Sequence, residues 1–272
     1  MSTTTDKLSA RIAAALGAPV VTLRAMQGGD ISAVYVATLD DGRDIIAKQG
    51  GPCRTEARML QAVAAAGCRA PDVLHADADL LLMTRLAEGS GSDAAWADAG
   101  AQIARLHASH GARYGWPEDT AFGPAPCPAA VSKNWPEFWA ERRLLAWPDA
   151  LPADLRPRLA RLAARLPDLL PHDPAPSLLH GDLWQGNVLM EDDRFSGLID
   201  PACYHGHAEV DLAMLCVFGK PPRAFWNAYG PLEDGWDARR PIYQLWPALV
   251  HLRLFGAGYR GMVESLLTRV GA

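Results

Sequence analysis

The sequence predicts an α+β fold of two unequal lobes, a small β-rich lobe over residues 1–86 followed by a larger, mainly helical lobe over residues 87–272. Three observations lead there. The chain has 272 residues, of which 49% are apolar and 21% charged, enough to bury a sizeable core and near the length at which one core divides into two. Short β-branched and apolar segments crowd between residues 20 and 86. Helical spacing then dominates from Ser92 onward, interrupted over 176–200.

Leu8, Ile12, Ala15 and Leu16 share one helical face, and Gly17 and Pro19 end that helix. Val20–Leu23, Ile31–Leu39 and Asp44–Lys48 read as an antiparallel meander, with turns at Gly28-Gly29-Asp30 and Asp40-Asp41-Gly42-Arg43. Arg54–Ala66 returns to helical spacing and stops at Gly67. Pro71–Ala76 and Leu80–Leu86 supply two further strands around Asp77-Ala78-Asp79. Helices are expected over 93–109, 135–146, 153–166, 209–218, 222–229 and 240–269. Ser177–His180, Asn187–Met190 and Ser196–Asp200 read as short strands, and the proline-rich stretches 117–128 and 167–176 as connectors.

Composition excludes several function classes. A net charge of −5 lacks the cationic excess that drives sequence-independent nucleic-acid binding. No uncharged run spans a membrane, and the early charges Asp6, Lys7 and Arg11 do not suit a secretory signal. Five cysteines with no Cys-x-x-Cys pair argue against a disulfide framework or a zinc knuckle, so a reducing cytoplasm is expected.

The chemistry concentrates in His180-Gly181-Asp182-Leu183-Trp184-Gln185-Gly186-Asn187, followed by Asp200. Asp182 offers a base for an acceptor hydroxyl, and Asn187 and Asp200 offer two oxygen ligands for Mg2+, the set that phosphoryl transfer requires. The spacing from Asp to Asn to a second Asp is that of the protein-kinase catalytic loop and metal site. Lys48 at the end of the third strand, with Glu56 at the start of the next helix, is the candidate to pair with ATP phosphates. Gly28, Gly29 and Ser32 are candidates to close over those phosphates, and the main chain of Thr84–Leu86 to meet adenine. His180 is expected to orient the loop. Asp211 suits either a helix-start carboxylate or a brace for that loop. His205-Gly206-His207 lacks the companion spacing of a zinc set.

Leu179–Asn187, Ile199-Asp200-Pro201-Ala202 and Tyr204–Met214 together resemble the fructosamine (ketosamine) kinase family. So do Trp135–Leu144, Tyr243-Gln244-Leu245 and His251–Gly256, and the similarity covers most of the chain. His-Gly-Asp with a later Ile-Asp-Pro is shared with the wider aminoglycoside phosphotransferase-like group, whereas Asp-Leu-Trp with Gly-His-x-Glu-Val-Asp-Leu-Ala-Met is far more selective. The resemblance implies a protein-kinase-like fold and ATP- and magnesium-dependent phosphorylation of the 3-hydroxyl of ketosamines, the sugar adducts of small amines or proteins, in deglycation. Carried across by motif, Asp182 is the base, Asn187 and Asp200 the metal ligands, Lys48 the nucleotide lysine, and Trp184 and His207 substrate residues. Asp30 departs from the small residue many relatives place in that glycine loop. Two rival readings are an aminoglycoside or amino-alcohol phosphotransferase of the same fold, and a nucleotide-binding pseudokinase.

Overall fold

The computed structural model describes residues 4–26 and 33–272. The glycine-loop residues Gly28, Gly29, Asp30 and Ser32 therefore lie outside the described residues. After helix α1 (Thr4–Leu16) come β1 (Val20–Ala25), β2 (Ala33–Leu39) and β3 (Asp44–Gln49). Helix α2 (Cys53–Ala65), β4 (Val73–Ala76) and β5 (Leu80–Thr84) complete an antiparallel five-stranded sheet in the order β1-β2-β3-β5-β4.

The continuous apolar run of β5 has a structural cause. Leu80 and Leu82 pack with Leu8 and Ile12 of α1, while Leu81 and Met83 point the other way, onto Cys53, Ala57 and Leu60 of α2. Side chains alternate across a strand, so a strand covered on both faces must be apolar at every position.

The helical lobe starts at α3 (Asp93–His107), whose Ser92 N-cap hydroxyl accepts from the N–H groups of Ala94 and Ala95. The connector expected over 117–128 contains a small hairpin, β6 (Thr120–Phe122) and β7 (Ala125–Cys127). Helix α4 (Trp135–Trp139) begins at Asn134, which caps Glu137 N–H at 2.9 Å. It then widens into a π-turn over Ala140–Leu144 rather than continuing as a regular helix to 146. There Arg143 is buried, its guanidinium 4.2 Å from the Tyr204 ring centre and 4.9 Å from those of Phe138 and Trp246.

Next come α5 (Arg156–Leu169), which runs past Pro167 into the expected connector, β8 (Ser177–Leu179), β9 (Val188–Glu191) and β10 (Arg194–Leu198). Strand β11 (Tyr204–Gly206), which periodicity did not reveal, pairs antiparallel with β8. Helices α6 (Glu209–Leu215), α7 (Arg223–Tyr229), α8 (Trp236–Phe255) and α9 (Arg260–Arg269) close the chain. The single helix expected over 240–269 breaks at Gly256, whose φ of 79° is a left-handed conformation that glycine adopts without a Cβ clash. The expected small β lobe and larger helical lobe are both present.

Candidate active site

Two short segments build the centre by zipping together. The carbonyl of His180 accepts from Ala202 N–H at 2.8 Å, the Asn187 carbonyl accepts from Ile199 N–H at 3.1 Å, and His180 Nε2–H donates to the Ile199 carbonyl at 2.9 Å. This last bond places the proton on Nε2, and burial lowers the imidazole pKa, so His180 is a neutral strut. Gly181 lies where the two segments meet. Its φ is +81°, and a methyl there would collide with the Ala202 carbonyl.

Asp211 is the brace. Its Oδ2 accepts from His180 N–H at 2.6 Å and its Oδ1 from Gly181 N–H at 2.9 Å, while His107 Nε2 lies 3.1 Å from Oδ2. His107 Nδ1 in turn accepts from the Tyr229 hydroxyl at 2.8 Å. A wholly buried carboxylate thereby satisfies three donors, two of them from the backbone of His180 and Gly181.

Asp182 and Asn187 meet directly. Asn187 Nδ2 donates to the Asp182 carbonyl at 2.8 Å and to its Oδ2 at 3.1 Å, so the oxygen end of the amide, an acceptor only, faces away from these bonds. Burial, with Asn187 opposing it and Asp200 and Asp211 adding to it, pushes the Asp182 carboxyl up to about 7.

Lys48, 8% exposed, reaches the same centre from β3. Its Nζ lies 2.6 Å from Glu56 Oε1 on α2 and contacts Asp200 Oδ1. Burial disfavours the ammonium, but the two carboxylates outweigh that, so the Lys48 pKa is raised and the charge retained. Asp200 itself has φ 55°, a left-handed conformation that Asp tolerates better than most residues. Met59 on α2 anchors the following segment, its Sδ accepting from Cys203 N–H at 3.3 Å.

At the hinge, the Thr84 N–H is committed to the Asp72 carbonyl at 3.0 Å, and Leu86 packs against Gly197. Trp184 is 40% exposed, meets Phe218 edge to face and packs against Gly186 of its own loop. The expectation for His207 is corrected by its burial. At 3% exposure it sits between Trp135 and Tyr243, its Nδ1 accepting from the Tyr243 hydroxyl at 2.8 Å, with no surface to offer a substrate.

Tertiary structure also brings Glu209 and Glu233 around His207, ligand atoms within 4.8 Å of one another, which spacing alone did not reveal. Glu209, however, is held by two bonds from Arg239, at 2.6 and 2.7 Å. Asp211, Met59 and Cys203 are the supporting residues that motif spacing passed over or left open. Among the described residues no helix is long and apolar enough to cross a membrane.

Comparison with known proteins agrees with this geometry. A family model described as fructosamine kinase matches residues 4–272. A Synechocystis protein named as a probable ketoamine kinase is 33% identical over 268 residues, 90% of this chain and 88% of its own. The mouse ketosamine-3-kinase is 35% identical over 164 residues, 57% of this chain and 53% of its own. A crystal structure from Thermobifida fusca, presented as that of a candidate fructosamine-3-kinase, superposes with a TM-score of 0.90 at 32% identity, covering 97% of this chain and 98% of that one. The chain belongs to the fructosamine kinase family.

Proposed function

We propose that this protein is an ATP-dependent kinase that transfers the γ-phosphoryl group to the 3-hydroxyl of a ketosamine. The observation that carries this reading is the convergence of Lys48 with Glu56 and Asp200, beside the Asp182–Asn187 pair, in a fructosamine kinase family chain. Residues 1–86 act as the nucleotide lobe and residues 87–272 as the catalytic and acceptor lobe.

In this reading Lys48 holds ATP phosphates and Glu56 orients Lys48. Main-chain groups of Arg85 and Leu86 face adenine more freely than Thr84, whose N–H is already bonded. Asn187 Oδ1 and the Asp200 carboxylate, which is 46% exposed, form an oxygen-only donor set suited to Mg2+. Bound there, the ion neutralises triphosphate charge. Asp182 orients the acceptor hydroxyl and takes its proton as the oxygen bonds to phosphorus and ADP leaves. Trp184, beside that base, stacks on the sugar or holds the protonated amine, a contact worth about 0.5–2 kcal/mol. Its exposure supports that role. Five free cysteines, four of them buried, support a reducing cytoplasm as the working compartment.

The test is ATP consumption across ketosamines, aminoglycosides and small amino alcohols, with phosphorus NMR to locate the ester. A 3-phosphate on a ketosamine, with amine then released, is the expected outcome. A preference for aminoglycosides would overturn the substrate assignment, and no turnover on any acceptor would favour a nucleotide-binding pseudokinase.

A further inference from the structure

We propose that an aromatic strip running outward from Trp184 binds the substituent carried on the amine of the acceptor, and selects ketosamines of aromatic or extended apolar amines over those of short polar ones. This rests on the reading of Asp182 and Trp184 as the acceptor side of the site.

The strip draws on three separate parts of the chain. Trp184 follows the catalytic Asp182 by two residues, Phe218 follows α6, and His251, Phe255 and Tyr259 come from the end of α8 and the turn after it. Ring centres step from Trp184 to Phe218 at 6.2 Å and from Phe218 to His251 at 5.1 Å. From His251 they reach Phe255 at 5.4 Å and Tyr259 at 4.9 Å. Trp184 is 40% exposed, Phe218 45% and Phe255 51%, and among the described residues these are the only exposed Trp and Phe side chains.

Single exposed apolar residues are ordinary on protein surfaces, but contiguity is not. Among the described residues, every exposed Trp and Phe ring belongs to one connected series of ring contacts that begins two residues after the proposed base. The inner end of the series is closely packed. A Cβ on Gly186 would collide with the Trp184 indole, and one on Gly219 would meet the side chain of Gln185, so the loop and the segment after α6 are packed closely together. His251 Nδ1–H donates to the Pro247 carbonyl at 2.8 Å, which fixes the ring.

A ketosamine held with its sugar hydroxyl at Asp182 must direct its amine substituent away from the catalytic loop. A carboxymethyl group ends near Trp184, a benzyl group reaches Phe218, and a hexyl group continues past Phe218 toward His251 and Phe255. Burying apolar substituent surface against preformed rings favours the second kind, and it shows as a lower KM.

The experiment compares fructose adducts of glycine, benzylamine and hexylamine in wild-type protein, Phe255→Ala and Phe218→Ala, with folding checked by thermal melting and mass by light scattering. The wild type is expected to favour the benzylamine adduct over the glycine adduct at least tenfold in kcat/KM, through KM. Phe218→Ala is expected to bring that ratio down by threefold or more, and Phe255→Ala to lower the hexylamine-to-glycine ratio by the same factor. Should Phe218→Ala fail to fold, the half-exposed Phe255 carries the test. Equal efficiency on all three adducts, or ratios unchanged in the variants, would overturn the strip while leaving ketosamine kinase activity intact. No phosphorylation of any adduct would instead overturn the underlying function. A wild-type dimer that dissociates in Phe255→Ala would assign the strip to a second copy of the chain and overturn its substrate role.

Discussion

Lys48 and Asp200, 152 residues apart in sequence, are in direct contact across the two lobes, with Glu56 holding the other side of the same ammonium at 2.6 Å. Asp200 is one of the proposed metal ligands, so the lysine's second carboxylate partner is also the residue expected to meet magnesium. Lys48→Met is expected to weaken Mg-ATP binding at least tenfold in calorimetry, because two carboxylates then face the phosphates without a cation.

Asp200 allows charge and backbone to be separated. At φ 55°, Asn is tolerated nearly as well as Asp, whereas Ala is strained by about 1 kcal/mol. Asp200→Asn should therefore melt close to wild type, and Asp200→Ala about 2 degrees lower. Both should lose most magnesium-dependent ATP affinity. Unchanged Mg-ATP binding in either folded variant removes Asp200 from the metal site.

Asp182→Asn is expected to cut kcat by two or more orders of magnitude, since the carboxamide keeps the shape but accepts no proton. It also carries a stability signature. With its pKa raised to about 7 from 3.8, folded Asp182 keeps a proton that the unfolded chain releases, so its stabilising contribution is lost as pH rises through 7. In protein free of magnesium and nucleotide, Asp182→Asn should then melt higher than wild type at pH 8, by about 1–3 kcal/mol of stability. The difference should close toward pH 4. A variant that is less stable than wild type at pH 8 would show that the site does not strain this carboxylate.

Asp211→Asn tests the brace beneath the loop. The amide retains one acceptor where the carboxylate satisfied three donors, and its NH2 faces a buried N–H. Leaving such groups unpaired costs about 1–3 kcal/mol each. Denaturant titration should show a loss in that range or above, with kcat falling further than ATP affinity. Wild-type stability would mean that the backbone of His180 and Gly181 is held by other contacts.

Gly186→Ala probes Trp184 without altering it. The added methyl collides with the indole, which must swing away from the loop. Ketosamine KM is expected to rise severalfold while the Kd for ATP, read by calorimetry, stays near wild type. An unchanged ketosamine KM would sink the substrate role of Trp184.

The sequence by itself determined the two-lobe division of strands and helices, because alternation of apolar residues and helical spacing are local properties that survive without tertiary contacts. It also singled out Asp182, Asn187, Asp200, Lys48 and Glu56, whose chemistry and order along the chain are recognisable before folding. What it did not determine was anything decided by contacts between distant segments. Asp211 read equally as a dipole-favoured helix start until the buried N–H groups of His180 and Gly181 were seen to need an acceptor. His207 shared a motif with site residues, yet Tyr243 and Trp135 enclose it, and no spacing rule states which ring a core will bury. Strand β11 is too short to show a period, and exists because β8 offers it a partner. The outward strip at Trp184 depends likewise on Phe218, His251 and Phe255 arriving from segments far along the chain. Local pattern encodes element type and chemical identity, whereas proximity, burial and proton placement are properties of the packed chain.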